Sequence, residues 1–421
     1  ESDRMDAGSM ATPHRRRRLG CYISEGAEEK VLSYRYAGCD NSFVYRHFCS
    51  PLADLLVRLF VPAWVAPNLI TVVGLIPSLL GHAVIWWHCD DLQKRCPAWC
   101  WGVAGVCTFL YQTLDNMDGK QARRTASSSP LGLLLDHGVD AFNINLAALN
   151  VMAMLQTGGS WELCLVVWLT SAVPFFSATW EEYHTGALYL GVFNGPTDGV
   201  LILCASQLCS ALVQDYVSFW GTELRIGLSL RVATIAFYAV CVAGTVAANV
   251  AAVAGAMRGQ ERSGVSGRRS MRASLSLVVP FCLCPVAVAA WLAVPTGASA
   301  FARAPRLVLW LPGLTFQVLV SHLQLAHICD EPYRPWRCSL LAPFLVLAGH
   351  AVARLLLHDM HSSEGLLLLD EVLVLGRCVL ALGVVWLHFA WRVAQELAEI
   401  LGISTFRIPA LAADEGKEKC S

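Results

Sequence analysis

Four aspartates that could do chemistry stand in the stretch DNMDGKQARRTASSSPLGLLLDHGVD. Asp115 and Asp118 are three positions apart, and Asp136 and Asp140 are four apart, so each pair shares one face of a helix. Carboxylates that lie close together repel one another, and cations must offset their charge. Ligation by oxygen alone suits Mg²⁺, Mn²⁺ or Ca²⁺ rather than Zn²⁺. The spacing therefore predicts a divalent metal site.

Two other interpretations of the aspartates fit less well. D-N-M-D-G lacks the alternating ligands and the late glutamate of a calcium-binding loop, and solvated helix ends do not require two spaced pairs. The residues between the pairs favour a phosphate ligand. Gly119, Ala122 and Gly132 are small, so a ligand can approach the backbone, and Arg123 offers a planar fork for phosphate oxygens. Together these residues indicate a diphosphate site.

The rest of the chain has the composition of a membrane protein. Of its 421 residues 55 % are hydrophobic and 15 % are charged, with a mean hydropathy of +0.50, whereas soluble proteins carry about a quarter charged residues. The net charge of −1 indicates no nucleic-acid partner. Ten apolar runs are long enough to span a bilayer. They lie near 66–87, 99–117, 131–156, 161–178, 192–213, 228–257, 273–295, 306–329, 338–357 and 365–391.

We therefore expect an all-α integral membrane protein with about ten transmembrane helices. A polar, partly disordered segment over 1–45 precedes one membrane domain over 46–395, whose catalytic core covers the region 60–215, and a cytosolic tail follows over 396–421. The stretch SPLADLLVRLFVPAW predicts a short amphipathic helix in the membrane interface. Its apolar face holds Leu52, Leu55, Leu56, Leu59 and Phe60.

The placement of lysine and arginine predicts the orientation, because cytosolic loops are enriched in both. With ten spans the two ends of the chain share one side, and that side holds most of the basic residues. The aspartates then face the cytosol. The run His14–Arg18 is either a solvated tail or a contact for anionic lipid. The basic residues on the cytosolic side are Arg15–Arg18, Lys120, Arg123, Arg124, Arg258, Arg262, Arg268, Arg269, Arg272, Arg334 and Arg337.

The aspartate stretch resembles the CDP-alcohol phosphotransferase family, whose motif is D-x2-D-G-x2-A-R-x8-G-x3-D-x3-D. The family transfers a phospho-alcohol from a CDP-linked donor to an acceptor hydroxyl. The resemblance implies that the first three aspartates are metal ligands and that the fourth is a ligand and a candidate general base. The eight matching residues are Asp115, Asp118, Gly119, Ala122, Arg123, Gly132, Asp136 and Asp140.

Further stretches resemble the eukaryotic choline/ethanolamine phosphotransferase branch, among them VAPNLITVVG, WEEYHTGALYLGVFNGPTDG and LGISTFRI. This resemblance implies CDP-ethanolamine or CDP-choline as donor, diacylglycerol as acceptor, CMP as a product, and two Mg²⁺ or Mn²⁺ ions. It also implies an endoplasmic reticulum or Golgi membrane and a homodimer. Another branch of the family is the first alternative. An ion transporter is the second, although it would place acidic residues near the midplane and show internal repeats.

Three more residues are candidates for the site. Asn68 belongs to a Pro-Asn pair that in this family faces the donor, and Asp198 stands where relatives tend to carry an acidic residue that helps activate the acceptor. His327 lies near the cytosolic end of the eighth span, where an imidazole could accept the proton of a lipid hydroxyl. Asp140 is the preferred general base and His327 the alternative.

Two smaller groups of residues each allow two interpretations. Glu181 and Glu182 are either solvated loop charges or part of the site. Cys89, Cys96 and Cys100 share one short connection, where a disulfide is possible. The chain has 17 cysteines, which form no zinc spacing, and most are expected to be small buried apolar residues.

Overall fold

The structure, a computed structural model, describes residues 22–213, 215–262, 270–356 and 370–408. Several predicted features lie outside these ranges: the basic run His14–Arg18, residues 1–21 of the polar segment, and Arg268 and Arg269 of the basic residues expected on the cytosolic side. Residue 357 and residues 365–369 of the last two predicted spans and residues 409–421 of the tail also lie outside them.

The described residues are mainly helical, which confirms the predicted all-α class. Besides loops and short 3₁₀- and π-helical turns, they include two three-residue strands, β1 Gly38–Asp40 and β2 Leu188–Leu190. The helices are α1 Glu28–Ser33, α2 Ser50–Phe60, α3 Pro67–His88, α4 Ala98–Arg124, α5 Pro130–Met154, α6 Trp161–Thr185, α7 Val200–Leu212, α8 Tyr216–Gly221, α9 Leu230–Arg262, α10 Met271–Ser276, α11 Val279–Leu292, α12 Pro295–Arg303, α13 Pro305–Ile328, α14 Cys338–Leu356 and α15 Glu371–Leu401.

Each of the ten predicted spans overlaps one α-helix or consecutive α-helices of the described residues, and the span 192–213 overlaps α7 only from Val200 onward. Within the described ranges, seven helical stretches are long and apolar enough to cross a membrane. They are α3, α6, α9, α10 with α11, α13, α14 and α15. Helices α4 and α5 have the length but carry the charged residues of the aspartate stretch, and α7 has only 13 residues. The number of spans stays a prediction.

Close helix packing at small residues builds the core of the membrane domain. A Cβ atom added to Gly81 of α3 would lie 3.0 Å from Cβ of Cys107 on α4. On α13, a Cβ atom added to Gly313 would lie 2.8 Å from Oδ1 of Asn145 on α5. Small residues let helix backbones approach closely inside a membrane, where the hydrophobic effect does not drive helices together. The glycines thus bring α3, α4, α5 and α13 into one bundle.

The predicted amphipathic helix is α2, and it is docked on the end of α4. Arg124 donates from Nη1 to the carbonyl of Val57 at 2.7 Å, and Nζ of Lys120 donates to Oγ of Ser50 at 2.6 Å. Ala53 and Val57 are buried, whereas Leu55, Leu59 and Phe60 are exposed. The exposed apolar face fits the interface location that the sequence predicts.

Residues 22–49, which precede α2, include short regular elements. Strand β1, Gly38–Asp40, pairs in parallel with β2, Leu188–Leu190, which follows α6. Helix α1 packs against α15, and its Val31 is fully buried. The segment from residue 22 onward therefore covers the end of the bundle to which the aspartates belong.

Candidate active site

The four aspartates come together where α4 ends and α5 begins. The connection Thr125–Ser129 has five residues, and Ala126 takes a positive φ of 51° within it. Oγ of Ser129 accepts a hydrogen bond from the amide of Gly132 at 3.2 Å, and Pro130 occupies the first turn, so α5 starts abruptly. Because the turn is this short, the two helix faces meet.

Three of the carboxylates are close enough to share a cation. Asp115, Asp118 and Asp136 each offer an oxygen atom, and these oxygen atoms all lie within 4.8 Å of one another. Asp140, the fourth predicted ligand, lies close enough for its carboxylate to interact with that of Asp115. The structure therefore brings together the two pairs of aspartates, as their spacing predicts.

Neighbouring hydroxyl groups hold two of the aspartates in place. Thr71 of α3 donates from Oγ1 to Oδ2 of Asp118, which is buried. Tyr111, one turn before Asp115 on α4, donates its hydroxyl to Oδ1 of Asp140. These contacts fix the orientation of the carboxylates, as donors behind metal ligands commonly do.

The donor set fits a hard divalent cation. Among the described residues, no lysine or arginine forms an ion pair with any of the four aspartates, so neither residue type offsets their mutual repulsion. Carboxylate oxygens are the ligands that Mg²⁺, Mn²⁺ and Ca²⁺ prefer.

The small residues and Arg123 surround this cluster. A Cβ atom added to Gly119 would lie 3.5 Å from Nη1 of Arg123, so the guanidinium folds over the glycine while remaining exposed. A Cβ atom added to Gly132 would lie 3.2 Å from Oδ1 of Asn68. Ala122 is partly exposed on α4 between these groups. The arginine is therefore free to meet an anionic ligand beside the carboxylates.

Asn68 makes a contact that the sequence did not suggest. Its Nδ2 donates to the carbonyl of Thr405 at 2.9 Å, and the residue is buried at the start of α3. Asn68, which the sequence predicts to face the donor, is thus also bonded to the segment that follows α15.

His327 belongs to a row of charged and polar side chains, of which Glu182 and His137 are buried. Its Nε2 lies 3.8 Å from Oε1 of Glu182 and 3.0 Å from the hydroxyl of Tyr34. Oε2 of Glu182 lies 3.5 Å from Nε2 of His137, and Nδ1 of His137 lies 4.0 Å from Oδ2 of Asp136. This row of side chains connects His327 to the aspartate cluster.

The structure corrects the interpretation of Glu181 and Glu182 and adds His137 to the site. Glu181 and Glu182 are 5 % and 0 % exposed inside α6, so the interpretation as solvated loop charges is wrong. Sequence analysis did not single out His137, which is 6 % exposed. The available signal was its position directly after Asp136, since a histidine beside a metal ligand is often a supporting residue.

Tyr34 keeps its proton next to His327. Burial, followed by the nearby charge of Glu182, raises the pKa of the Tyr34 phenol above its usual range. The phenol therefore stays neutral at physiological pH and is hydrogen-bonded to Nε2 of His327. An imidazole held in this way keeps one orientation, with Glu182 available to stabilise its protonated form.

Asp198 lies in a separate hydrogen-bond network. It is 7 % exposed in the π-helical turn Gly195–Gly199, and it accepts from Oγ of Ser42 at 3.0 Å and from the amide of Asn194 at 2.9 Å. Asp40 accepts from Oγ1 of Thr197 at 2.6 Å in the same network. These contacts fasten the segment before α2 to the turn before α7.

Comparison with known proteins finds a family match over the region that contains the aspartates. The profile described as CDP-alcohol phosphatidyltransferase matches residues 64–244, which include the aspartates and Asp198. Choline/ethanolaminephosphotransferase 1 of Arabidopsis thaliana is 36 % identical over 408 residues, covering 92 % of this chain and 98 % of its own.

The chain belongs to the CDP-alcohol phosphatidyltransferase family. Choline/ethanolaminephosphotransferase 2 of Arabidopsis thaliana is 33 % identical over 404 residues, covering 92 % of this chain and 98 % of its own. Choline/ethanolaminephosphotransferase 1 of Saccharomyces cerevisiae is 35 % identical over 206 residues, covering 49 % and 52 %. The resemblance to the choline/ethanolamine phosphotransferase branch is thereby confirmed.

Family membership decides between the two classes of function that the sequence left open. The protein is a membrane-embedded transferase of phospholipid biosynthesis, not an ion transporter. The family generally depends on a divalent metal, and the cluster of Asp115, Asp118 and Asp136 is a group of residues able to bind one.

Proposed function

We propose that this enzyme transfers phosphocholine or phosphoethanolamine from CDP-choline or CDP-ethanolamine to the free hydroxyl of diacylglycerol, with CMP as the second product. The observation that carries the proposal is the carboxylate cluster at the meeting of α4 and α5, with oxygen atoms within 4.8 Å. It occurs in a chain whose relatives, matched over 98 % of their length, are named choline/ethanolaminephosphotransferases.

Asp115, Asp118, Asp136 and Asp140 would hold two Mg²⁺ or Mn²⁺ ions. When bound, these ions supply positive charge to the diphosphate and to the leaving CMP. Arg123 binds a phosphate oxygen through its exposed guanidinium, and Asn68 contacts the donor at the start of α3. Gly119, Ala122 and Gly132 leave room for the nucleotide beside the backbone.

His327 accepts the proton of the diacylglycerol hydroxyl in this proposal. Sequence analysis preferred Asp140, but two contacts favour the histidine. Glu182, which is 0 % exposed, lies 3.8 Å from Nε2 and would stabilise the imidazolium. Oδ1 of Asp140 already accepts from Tyr111, whereas His327 can take the proton on Nδ1 while Nε2–H points toward Tyr34 and Glu182. Glu182 and Tyr34 are positioning residues that act through His327.

Asp198 contributes indirectly in this proposal. Its carboxylate is occupied by Ser42 and Asn194, so we assign it to holding the segment before α2 over the site. Tyr34 belongs to that segment, and its place beside His327 depends on the segment being anchored.

The proposed setting is an endoplasmic reticulum or Golgi membrane, with a homodimer and with the site facing the cytosol. The lysine and arginine distribution supports the orientation. A cysteine placed at the exposed Ser128, beside the site, tests it. In sealed microsomes with the cytosolic face outward, an impermeant thiol reagent should label Ser128→Cys without detergent. Labelling only after detergent would contradict a cytosolic donor site.

A donor competition assay tests the proposed reaction. The purified chain is given diacylglycerol with CDP-choline and CDP-ethanolamine carrying different radiolabels, and labelled lipid and CMP are both measured. We expect CMP and phospholipid in equal amounts, and neither product after metal chelation. CMP formation without lipid, or lipid formation unaffected by chelation, would contradict the proposal.

A further inference from the structure

The connection between α3 and α4 carries two buried cysteines, at the end of these helices opposite the aspartates. Cys89 directly follows α3 and is 0 % exposed, and Cys96 precedes α4 by two residues and is 1 % exposed. Cys100, in the first turn of α4, is also buried. The three cysteines therefore lie in one region, and geometry has to decide which two can pair.

Contacts from several parts of the chain fix this connection. Nη2 of Arg306, at the start of α13, donates to the carbonyl of Cys89 at 2.6 Å. The amide of Cys96 donates to the hydroxyl of Tyr216 at 3.0 Å. The amide of Gly158 donates to the carbonyl of Leu92 at 3.2 Å. The connection is thus a rigid part of the core, and the two cysteines cannot move apart easily.

The same contacts place the two sulfur atoms side by side. The amide of Cys89 donates to the carbonyl of Ile85 at 2.8 Å, and Sγ of Cys96 lies 3.8 Å from that carbonyl oxygen. Sγ of Cys96 thus lies against the last turn of α3 beside Cys89, close enough for the two thiols to interact. No thiol contact of this kind joins Cys100 to either of them among the described contacts. The geometry selects Cys89 and Cys96.

We propose that Cys89 and Cys96 form a disulfide bond in the native enzyme. The two thiols lose two hydrogens and two electrons to a disulfide oxidant, small-molecule or protein, which becomes two thiols. In the exchange, the Cys89 thiolate first attacks the oxidant to form a mixed disulfide and release one thiol, and the Cys96 sulfur then attacks the Cys89 sulfur and expels the second thiol. The connection lies opposite the proposed cytosolic site, on the lumenal side, where disulfides persist.

Electrostatics around Cys89 favour its attack on the oxidant. The interaction with the Cys96 thiol lowers the pKa of the Cys89 thiol against the opposing effect of burial, and the charge of Arg306 lowers the pKa further. A thiolate is the reactive form in disulfide exchange. The bond would join the ends of α3 and α4, the helices that carry Thr71, Asp115 and Asp118.

Peptide mapping tests the pairing on the full chain, purified from eukaryotic membranes. Free thiols are blocked with an alkylating reagent during lysis, without reductant, and the protein is then denatured and digested. Cleavage after Lys94 and Arg95 separates the two cysteines, so only a disulfide keeps their peptides joined. We expect joined peptides in the wild type and in Cys100→Ser. In Cys96→Ser the Cys89 peptide should be alkylated.

Two results would overturn the pairing. One is alkylation of both Cys89 and Cys96 in the unreduced wild type. The other is a Cys89 peptide that stays joined in Cys96→Ser but is released in Cys100→Ser, which would assign the bond to Cys100. Peptide mapping does not require activity, so this test is independent of the proposed reaction.

A different part of the chain carries a second inference, on donor binding. Residues 402–408, called the strap below, follow α15 and return to the start of α3. The chain turns at Gly402, which takes a φ of 65°. Val65 and Arg407 form an antiparallel bridge, and the amide of Ile408 donates to the carbonyl of Trp64 at 3.2 Å. Ile408 is buried. The strap is thus anchored just before Asn68.

The strap contacts Asn68 directly. Its Thr405 carbonyl accepts from Nδ2 of Asn68, so the amide group is held with Oδ1 toward Gly132 of α5. We infer that the strap is a positioning element for the CDP-alcohol, acting through Asn68. This inference rests on the proposed function, in which Asn68 contacts the donor.

Two shortened chains test the strap. One ends after Leu401 and lacks the strap, and the control ends after Ile408 and keeps it. Loss of one positioning hydrogen bond should raise KM for the CDP-alcohol by roughly 3-fold to 10-fold, with kcat and the KM for diacylglycerol changed by less than about 2-fold. The control should match the full chain. Ile408→Ala, which loosens the anchor without shortening the chain, should give a smaller rise in the same KM.

A double variant gives the decisive comparison. In the Asn68→Ala background, removal of the strap should raise KM no further, because both changes remove the same contact. Equal KM for the donor in the two shortened chains would overturn the inference, and so would an additive effect with Asn68→Ala. Turnover by the full chain reports on the proposed function separately.

Discussion

Helices α9 and α13 are both long and apolar, but they occupy opposite environments. In the most apolar part of α13, 89 % of the residues are buried inside the protein, whereas the corresponding value for α9 is 11 %. Phe237 and Val240 of α9 are 59 % and 71 % exposed. Gln317 and Gln324 of α13 are 0 % exposed. The more polar of the two helices is the one that lies in the centre.

The difference follows from what surrounds each helix. Lipid offers no partner to a polar side chain, so a helix that faces lipid is apolar, and polar residues are confined to helices that face protein. Nε2 of Gln317 donates to the carbonyl of Gly138 at 2.7 Å, and Nε2 of Gln324 donates to Oε2 of Glu182 at 3.2 Å. On α9, the side-chain amide of the buried Asn249 lies 2.9 Å from Oγ of Ser177 on α6. Buried polar residues therefore mark α13 as the helix that organises the site.

Removal of the His327 imidazole from α13 should have the largest effect on activity among these substitutions. His327→Ala should lower kcat by about 10²-fold to 10⁴-fold, the usual contribution of a general base, while binding of the CDP-alcohol stays unchanged. His322→Ala is the matched control on the same helix, because His322 packs against Phe389 rather than Glu182. Comparable losses in the two variants would contradict the assignment and return the role to Asp140.

Substitution of Gln324 by leucine should have an intermediate effect. The change leaves buried Glu182 without one donor, and hydrogen bonds to charged groups contribute about 1.5–3 kcal/mol. We expect kcat to fall by roughly 10-fold to 100-fold, with KM for both substrates nearly constant. A change in KM alone would show that Gln324 acts on substrate binding and not on the orientation of Glu182.

A matched valine pair should give the smallest effects. Val320→Ala removes two buried methyl groups from α13, where Val320 is 0 % exposed, and should destabilise the protein by roughly 1–2 kcal/mol. Val240→Ala on α9 changes a side chain that is 71 % exposed and should change stability by less than about 0.5 kcal/mol. The melting temperatures of the two variants in detergent check this order. Equal shifts would mean that α9 is as tightly packed as α13.

The sequence predicts some of these features and not others, for physical reasons. Apolar length locates the helices, and the spacing of Asp115, Asp118 and Asp136 predicts their meeting, because both depend on local periodicity. The burial of Glu182 depends on contacts with His137 and Gln324, from helices far apart in the chain. The contact between Asn68 and Thr405 spans most of the protein. Such long-range contacts leave no periodic pattern in a single sequence.

The central claim is that the carboxylates of α4 and α5 form one metal-dependent phosphotransferase centre. The most direct test is to measure phospholipid formation by Asp136→Asn over a range of Mg²⁺ and Mn²⁺ concentrations, with wild type and Val240→Ala as folded controls. Asp136 is one of three residues whose oxygen atoms lie within 4.8 Å. We predict no detectable product at any metal concentration, while the elution profile and melting temperature in detergent stay close to wild type. Near wild-type product formation by the folded variant would contradict the claim.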